Sequence, residues 1–318
     1  MFSIPELWTG LLIPLLKLCV FISAGVLVGN LIEALNWTRF MAWFATPLVR
    51  AGRLRDISGA SFSMAFFSGI TANTMLAEAH EQKRLNRREL VLSNLFNSLP
   101  TYFLHLPTSF FIMVPLIKAA AIPYILLTIS SAVLRTIVVI FIGRFILPAR
   151  KDLCVQCELP PAEKLQWSRI ITSVRTRFSR RFKKIMIFTV PVYSLFYVLQ
   201  HAGFFGMAER FMAEHVQMLS FLPPQAISII VLQLAAEFSA GLAAAGSLLD
   251  SGALRIKEVV LALLVGNILS SPMRAVRHQL PYYAGIFNPA LAVRLIVYNQ
   301  SLRAASLVAV AAAYYIWG

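Results

Sequence analysis

Charge is scarce in this 318-residue chain, and acid is scarcest. Charged residues make up 14% of it, against about 25% in an average soluble domain. Asp and Glu number 14 beside 29 Lys and Arg. The three cysteines (Cys19, Cys154, Cys157) cannot build a disulfide framework. Cys154-Val-Gln-Cys157 lacks the second ligand pair that structural zinc wants, so it reads as two reduced thiols, with a metal shared across a dimer as the alternative. No GxxxxGK[ST] loop, dinucleotide fingerprint, GxSxG, HExxH or compact acid pair occurs. His105, His201, His215 and His278 are scattered. Nothing asks for an enzyme, a cofactor or a resident metal. Apolar residues are plentiful: 58% of the chain, with a mean hydropathy of +0.71. That excludes an ordinary soluble globule, a disordered chain and a coiled coil. The basic excess then marks cytoplasmic loops and lipid-facing edges.

A membrane-spanning helix needs about 20 mainly apolar residues. Residues 7–33, 122–147, 185–205 and 295–317 qualify. The first is too long for a signal peptide, and no basic residue precedes it. Other apolar stretches are interrupted. Residues 57–80 hold Gly59, Gly69 and several hydroxyls, and 226–249 hold Glu237, Gly241 and Gly246. Residues 89–104 and 259–273 carry Asn, Ser and Pro. Such breaks are tolerated where freed backbone groups face protein or a wet cavity. Residues 36–49 and 207–219 read as interfacial amphipathic helices. The polar loop 148–184 ends in a basic amphipathic stretch suited to the cytoplasmic leaflet.

The second half echoes the first. Arg39-Phe40-Met41 matches Arg210-Phe211-Met212, and Phe67-Ser68-Gly69 matches Phe238-Ser239-Ala240-Gly241, both at a separation of 171. Arg88-Glu89, Asn97 to Pro100, Leu106-Pro107 and Leu134-Arg135 match Lys257-Glu258, Asn267 to Pro272, Leu280-Pro281 and Leu302-Arg303 in the same order. The expected organisation is repeat 1 over 1–147, the cytoplasmic loop over 148–184, and repeat 2 over 185–318. Arg50, Arg53, Arg55, Lys83, Arg84, Arg87 and Arg88 flank the first interrupted segment. If both clusters are cytoplasmic, 57–80 is a re-entrant hairpin hinged near Gly69–Asn73. The second hairpin's flanks are poorer in charge (Arg210, Arg255, Lys257), whereas its next turn holds Arg274 and Arg277. The positive-inside pattern then makes the repeats inverted. The expected fold class is an all-α polytopic membrane protein of two inverted repeats, each with an amphipathic helix, a broken hairpin and kinked spanning helices.

Phe67 to Thr74, the basic turn, Arg88-Glu89-Leu-Val-Leu and Asn97-Ser-Leu-Pro100 together resemble a Gate, or nucleoside-recognition, module. That module is shared by concentrative nucleoside transporters, the membrane part of ferrous-iron transporter B and spore-maturation proteins A and B. The resemblance covers both repeats. It implies paired hairpins meeting mid-membrane, a transport role and a place in a bacterial cytoplasmic (inner) cell membrane. The iron transporters' Gate cysteine and G domain have no counterpart here.

The candidate substrate-binding residues sit at the breaks. Ser68, Gly69, Thr71, Asn73 and Thr74 belong to the first hairpin, and Glu237, Ser239 and Gly241 to the second. Asn97, Ser98, Asn267, Ser270 and Ser271 mark the kinked helices. Half-helix ends with hydroxyls and amides suit a neutral polar ligand or a weakly held ion. Small polar residues also let helices pack closely. Glu237 is the only acid well inside an apolar segment; it could bind a cation, couple protons or pair with Arg135 or Arg303. Those arginines could serve an anionic ligand, or simply snorkel. Arg274, Arg277 and His278, at an inner mouth, read as topology signals first and a ligand funnel second. The expected function is secondary transport of a small polar solute, nucleoside-like or another metabolite. The rivals are a non-transporting membrane scaffold and a metal-ion permease. Expected partners are membrane lipids, the small-molecule solute and a second copy as a homodimer, with no nucleic acid.

Overall fold

The computed structural model describes residues 38–149, 154–159, 222–235 and 238–318, with isolated positions before 38 and between 168 and 198. Described residues form helices and turns, with no strand among them. The expected spans 7–33 and 185–205 and the helix 207–219 lie largely or wholly outside them, as does Glu237.

Helix α1 (Thr38–Ala51) buries Ala42, Ala45 and Val49 and leaves Phe40, Trp43 and Phe44 exposed. A tight turn leads to α2 (Asp56–Ala65) and α3 (Gly69–Glu81), which pack as a hairpin. The chain breaks at 66–68, before the expected hinge at Gly69–Asn73. The cause is Ser68, which leaves helical geometry and accepts the Thr71 N–H at 3.2 Å as an N-cap. Gly69 to Asn73 therefore open α3. Then follow α4 (Arg87–Phe96), α5 (Ser98–Ile117) and α6 (Ala121–Ile146). The second half runs α7 (Ala226–Ala235), α8 (Phe238–Asp250), α9 (Ile256–Leu269), α10 (Ser271–Arg274), a π-helical turn (Ala275–Gln279), α11 (Leu280–Ala284) and α12 (Pro289–Trp317).

The described arms of the two hairpins have 10 and 13 residues in both halves. At 1.5 Å per residue no arm crosses a hydrocarbon layer of about 30 Å. Each hairpin also leaves by the same turn. Arg84 and Leu85 N–H donate to Ala79 O, as Ala253 and Leu254 N–H donate to Leu248 O. Lys83 (φ 59) and Gly252 (φ 72) hold the left-handed position in these turns. The next helix starts on a glutamate each time. Glu89 and Glu258 accept the N–H of Asn86 and Arg255 at 2.8 and 2.7 Å.

Packing then crosses between the halves. Helix α5 lies on α8, where Gly246 lets the Leu116 carbonyl approach. Tyr282 of α11 reaches the first hairpin at Gly69 O, 2.5 Å away. Helices α6 and α12 pack side by side and share a Ser131–Ser306 hydrogen bond of 2.8 Å. Among the described residues, two helical runs are long and apolar enough to cross a membrane: 87–146, which the break at Asn97 and the turn after Ile117 divide into α4, α5 and α6, and Pro289–Trp317.

Cys154 and Cys157 form a disulfide, which corrects the expectation of reduced thiols. The 3-10 turn Val155–Glu158 brings their Cα atoms to 5.4 Å, a separation a disulfide spans. Val155 is buried against Gly59 of α2, and Glu158 pairs with Arg84 at 2.9 Å.

Candidate binding cavity

The helix breaks converge on one cavity of about 680 Å³. Its walls come mainly from α3, α4, α5, α6, α9, α10, α11, α12 and the π turn, with Ala65 of α2 and Phe238 of α8 at its edge. Such a volume falls in the range of small-molecule sites. The lining mixes aromatic rings with amides, hydroxyls and three guanidinium groups.

One wall is a hydrogen-bond chain that pins the first hairpin to the second half. Asn73 Nδ2 donates to Tyr282 Oη at 2.7 Å, and that hydroxyl donates to Gly69 O. Asn94 Nδ2 donates to Asn73 Oδ1 at 2.9 Å and to Tyr283 Oη at 3.2 Å. Asn97 Nδ2 donates to Ser61 Oγ at 2.7 Å. The opposite wall is organised by Asn267, at the end of α9. Its Nδ2 donates to Tyr124 Oη at 2.9 Å. Its Oδ1 accepts from Arg274 Nη2 at 2.7 Å and Arg303 Nη2 at 2.8 Å. Arg274 Nη2 also donates to Asn267 O, at 2.8 Å. Arg135, almost fully buried, donates to Ser131 O at 3.4 Å.

Two cations therefore share one neutral oxygen. At about 5 Å and an effective dielectric of about 20 they repel by roughly 3 kcal/mol. Among the described residues no carboxylate lies within ion-pair distance of Arg135, Arg274 or Arg303. Among the described residues, five buried polar atoms of lining residues have no partner: Asn94 Oδ1, Asn97 Oδ1, Ser98 Oγ, Arg274 Nε and Gln300 Oε1. Buried polar groups demand a partner, from protein, water or a solute.

Of the residues expected at the site, Gly69, Asn73, Asn97, Ser98 and Asn267 line the cavity. Ser68 and Thr71 cap α3 instead, and half-buried Thr74 and Ser239 are not in the lining. Gly241 packs against Gln233 between α7 and α8. Ser270 and Ser271 turn back to Asn267 O at 3.4 and 3.0 Å. Arg274, expected as a topology signal first and part of a ligand funnel second, lines the cavity with Arg135 and Arg303. Sequence reasoning passed over Tyr102, Tyr124, Thr128, Tyr282, Tyr283 and Gln300. Their only signal is a hydroxyl or amide inside an otherwise apolar run.

No protein-family model matches the chain, and no solved structure matches it. The chain is similar to three uncharacterized proteins of Methanocaldococcus jannaschii. One is 26% identical over 291 residues, covering 90% of this chain and 89% of the relative. A second is 22% identical over 295 residues (91% and 93%), and a third 24% identical over 276 residues (87% and 85%). The similarity thus spans nearly the full length of both partners in each comparison.

Proposed function

We propose that this chain is a polytopic membrane protein of two inverted, Gate-like repeats that binds a small polar solute in the central cavity and moves it across the membrane. The observation that carries the reading is the cavity itself, which gathers amides, hydroxyls and guanidiniums among apolar side chains, between helices whose outer faces are apolar. Ile122, Leu126, Val133, Ile137, Phe141 and Phe145 form an exposed stripe down α6, and Val293, Val297 and Val308 are exposed on α12. Soluble monomers rarely expose contiguous apolar surface on that scale. In a bilayer it faces lipid, and the amides and guanidiniums turn inward.

The repeat reading draws on the matched hairpin lengths, the matched exit turns and the matched glutamate caps. Asn97 and Asn267, and Arg135 and Arg303, are matched pairs that all line the cavity. Two short hairpins held by crossed helices suit alternating access, in which one repeat rocks against the other. The homologues are archaeal, so the membrane proposed is the cell membrane without assignment to a bacterial one.

The test is accessibility from each side. Single cysteines replace Ser109 or Gln279 on the cavity wall, in a background where Cys19, Cys154 and Cys157 are serine. Membrane-impermeant thiol reagents are then applied to oriented vesicles. Transport expects both positions to react, with the favoured side shifting as conditions shift the conformation. Cysteines that stay inert from both sides would refute a solute pathway and favour a scaffold.

A further inference from the structure

We propose that the solute carries an oxyanion, a carboxylate or phosphoryl group, held by Arg135, Arg274 and Arg303. This rests on the cavity being a solute site. Three guanidiniums line it, on α6, α10 and α12, and the described lining contains no Asp or Glu. Two of them already converge on the same oxygen of Asn267. That oxygen is neutral, so it orients both forks and neutralises neither. Among the described residues Arg135 finds a long bond to Ser131 O, and Arg274 Nε finds no acceptor. Guanidinium forks match the planar, multidentate geometry of carboxylate and phosphoryl oxygens, with charge-assisted bonds.

The remainder of the cavity suits the rest of such a molecule. Tyr282 and Tyr283 line it together with the amide residues Asn94, Asn97 and Gln300, which suit hydroxyl or amine groups. Anionic oxygens go to the arginine side, and donor groups go to the amide side. A bare metal cation would meet repulsion here. Among the described residues no group of His, Cys, Asp or Glu could hold one.

The experiment uses the full chain, purified in detergent at constant ionic strength, and matched pairs of probes. Succinate is set against succinamide, and glycerol 3-phosphate against glycerol, with inorganic phosphate and magnesium ion alone. The anionic member of at least one pair is expected to raise the melting temperature, with its neutral partner and magnesium inactive. Succinate alone would name a carboxylate, and the phosphates alone a phosphoryl group. Arg303→Gln and Arg135→Gln should each weaken that binding by tenfold or more, and Arg303→Lys by less. Because a glutamine variant could fail to fold, the native protein is also treated with phenylglyoxal. The active anion should protect Arg274 and Arg303 from modification, and its neutral partner should not. Equal stabilisation by neutral partners would overturn the oxyanion and leave a solute cavity standing. A panel without any anion effect, with no protection, also overturns it. If cavity cysteines are inert as well, the solute reading falls with it.

Discussion

Asn267→Asp is expected to make the protein more stable while destroying its anion site. The substitution hardly changes volume. Oδ1 still accepts Arg274 Nη2 and Arg303 Nη2, at 2.7 and 2.8 Å in the native chain. Both bonds become charge-assisted, which adds about 1 kcal/mol each over a neutral bond. The carboxylate also offsets part of the roughly 3 kcal/mol repulsion between two guanidiniums about 5 Å apart. Tyr124 Oη, now the acceptor from Nδ2 at 2.9 Å, can donate to the second carboxylate oxygen instead. Against these stands desolvation of a carboxylate, several kcal/mol in a buried site. The balance is a gain of about 1–2 kcal/mol, or roughly 2–8 °C in melting temperature for a chain of this size. Asn267→Ala is the contrasting variant. It removes the acceptor of Arg303 Nη2 and the donor to Tyr124, a loss of about 2–3 kcal/mol when buried polar groups lose partners. The assay is thermal unfolding of both variants beside the native chain, followed by the anion probes. Equal destabilisation by Asp and Ala would refute the idea that two uncompensated cations meet at Asn267. An Asp variant that still binds the anion at native affinity would refute the shared site.

Gly246→Ala should destabilise by about 1–2 kcal/mol. The gain in helix propensity is about 1 kcal/mol, but the added Cβ would drive into the Leu116 carbonyl, and overpacking against backbone costs up to about 3 kcal/mol. Gly69→Ala is its control: a Cβ there meets only Tyr282 Oη at 3.8 Å, so its melting temperature should stay within about a degree. Arg55→Met should cost about 1–2 kcal/mol in denaturant unfolding. It removes the 2.8 Å partner of the Glu89 carboxylate, which is 2% exposed. The 3–5 kcal/mol typical of breaking a buried pair is discounted because Arg55 is 32% exposed. Lys83→Gly should stabilise by up to about 1 kcal/mol, since Lys83 sits at φ 59 where the second half has Gly252. A lower melting temperature for that variant would refute strain at the turn.

The helical class and the places where helices break were legible in the chain. Long apolar runs interrupted by Asn, Ser and Pro mark breaks wherever they fold, because those residues compete for or remove backbone hydrogen bonds. The breaks at Asn97 and Ser270 follow from that chemistry alone. So do the glutamate caps and turns that recur in both halves, which depend on neighbours only a few residues away. Tertiary structure decided which faces these elements turn to one another. Asn73 meets Tyr282 across 209 residues, and Asn267 meets Tyr124 across 143. No local pattern encodes such a meeting, because periodicity marks a helix's face but not its covering partner. It is the crossing of α5 and α11 onto the opposite hairpins that closes the cavity. The same crossing separates true lining residues from Ser68, Thr71, Ser270 and Ser271, whose hydroxyls serve their own helix ends. Composition showed that cations outnumber acids. Only the fold could gather three of them, from positions 135, 274 and 303, around one cavity.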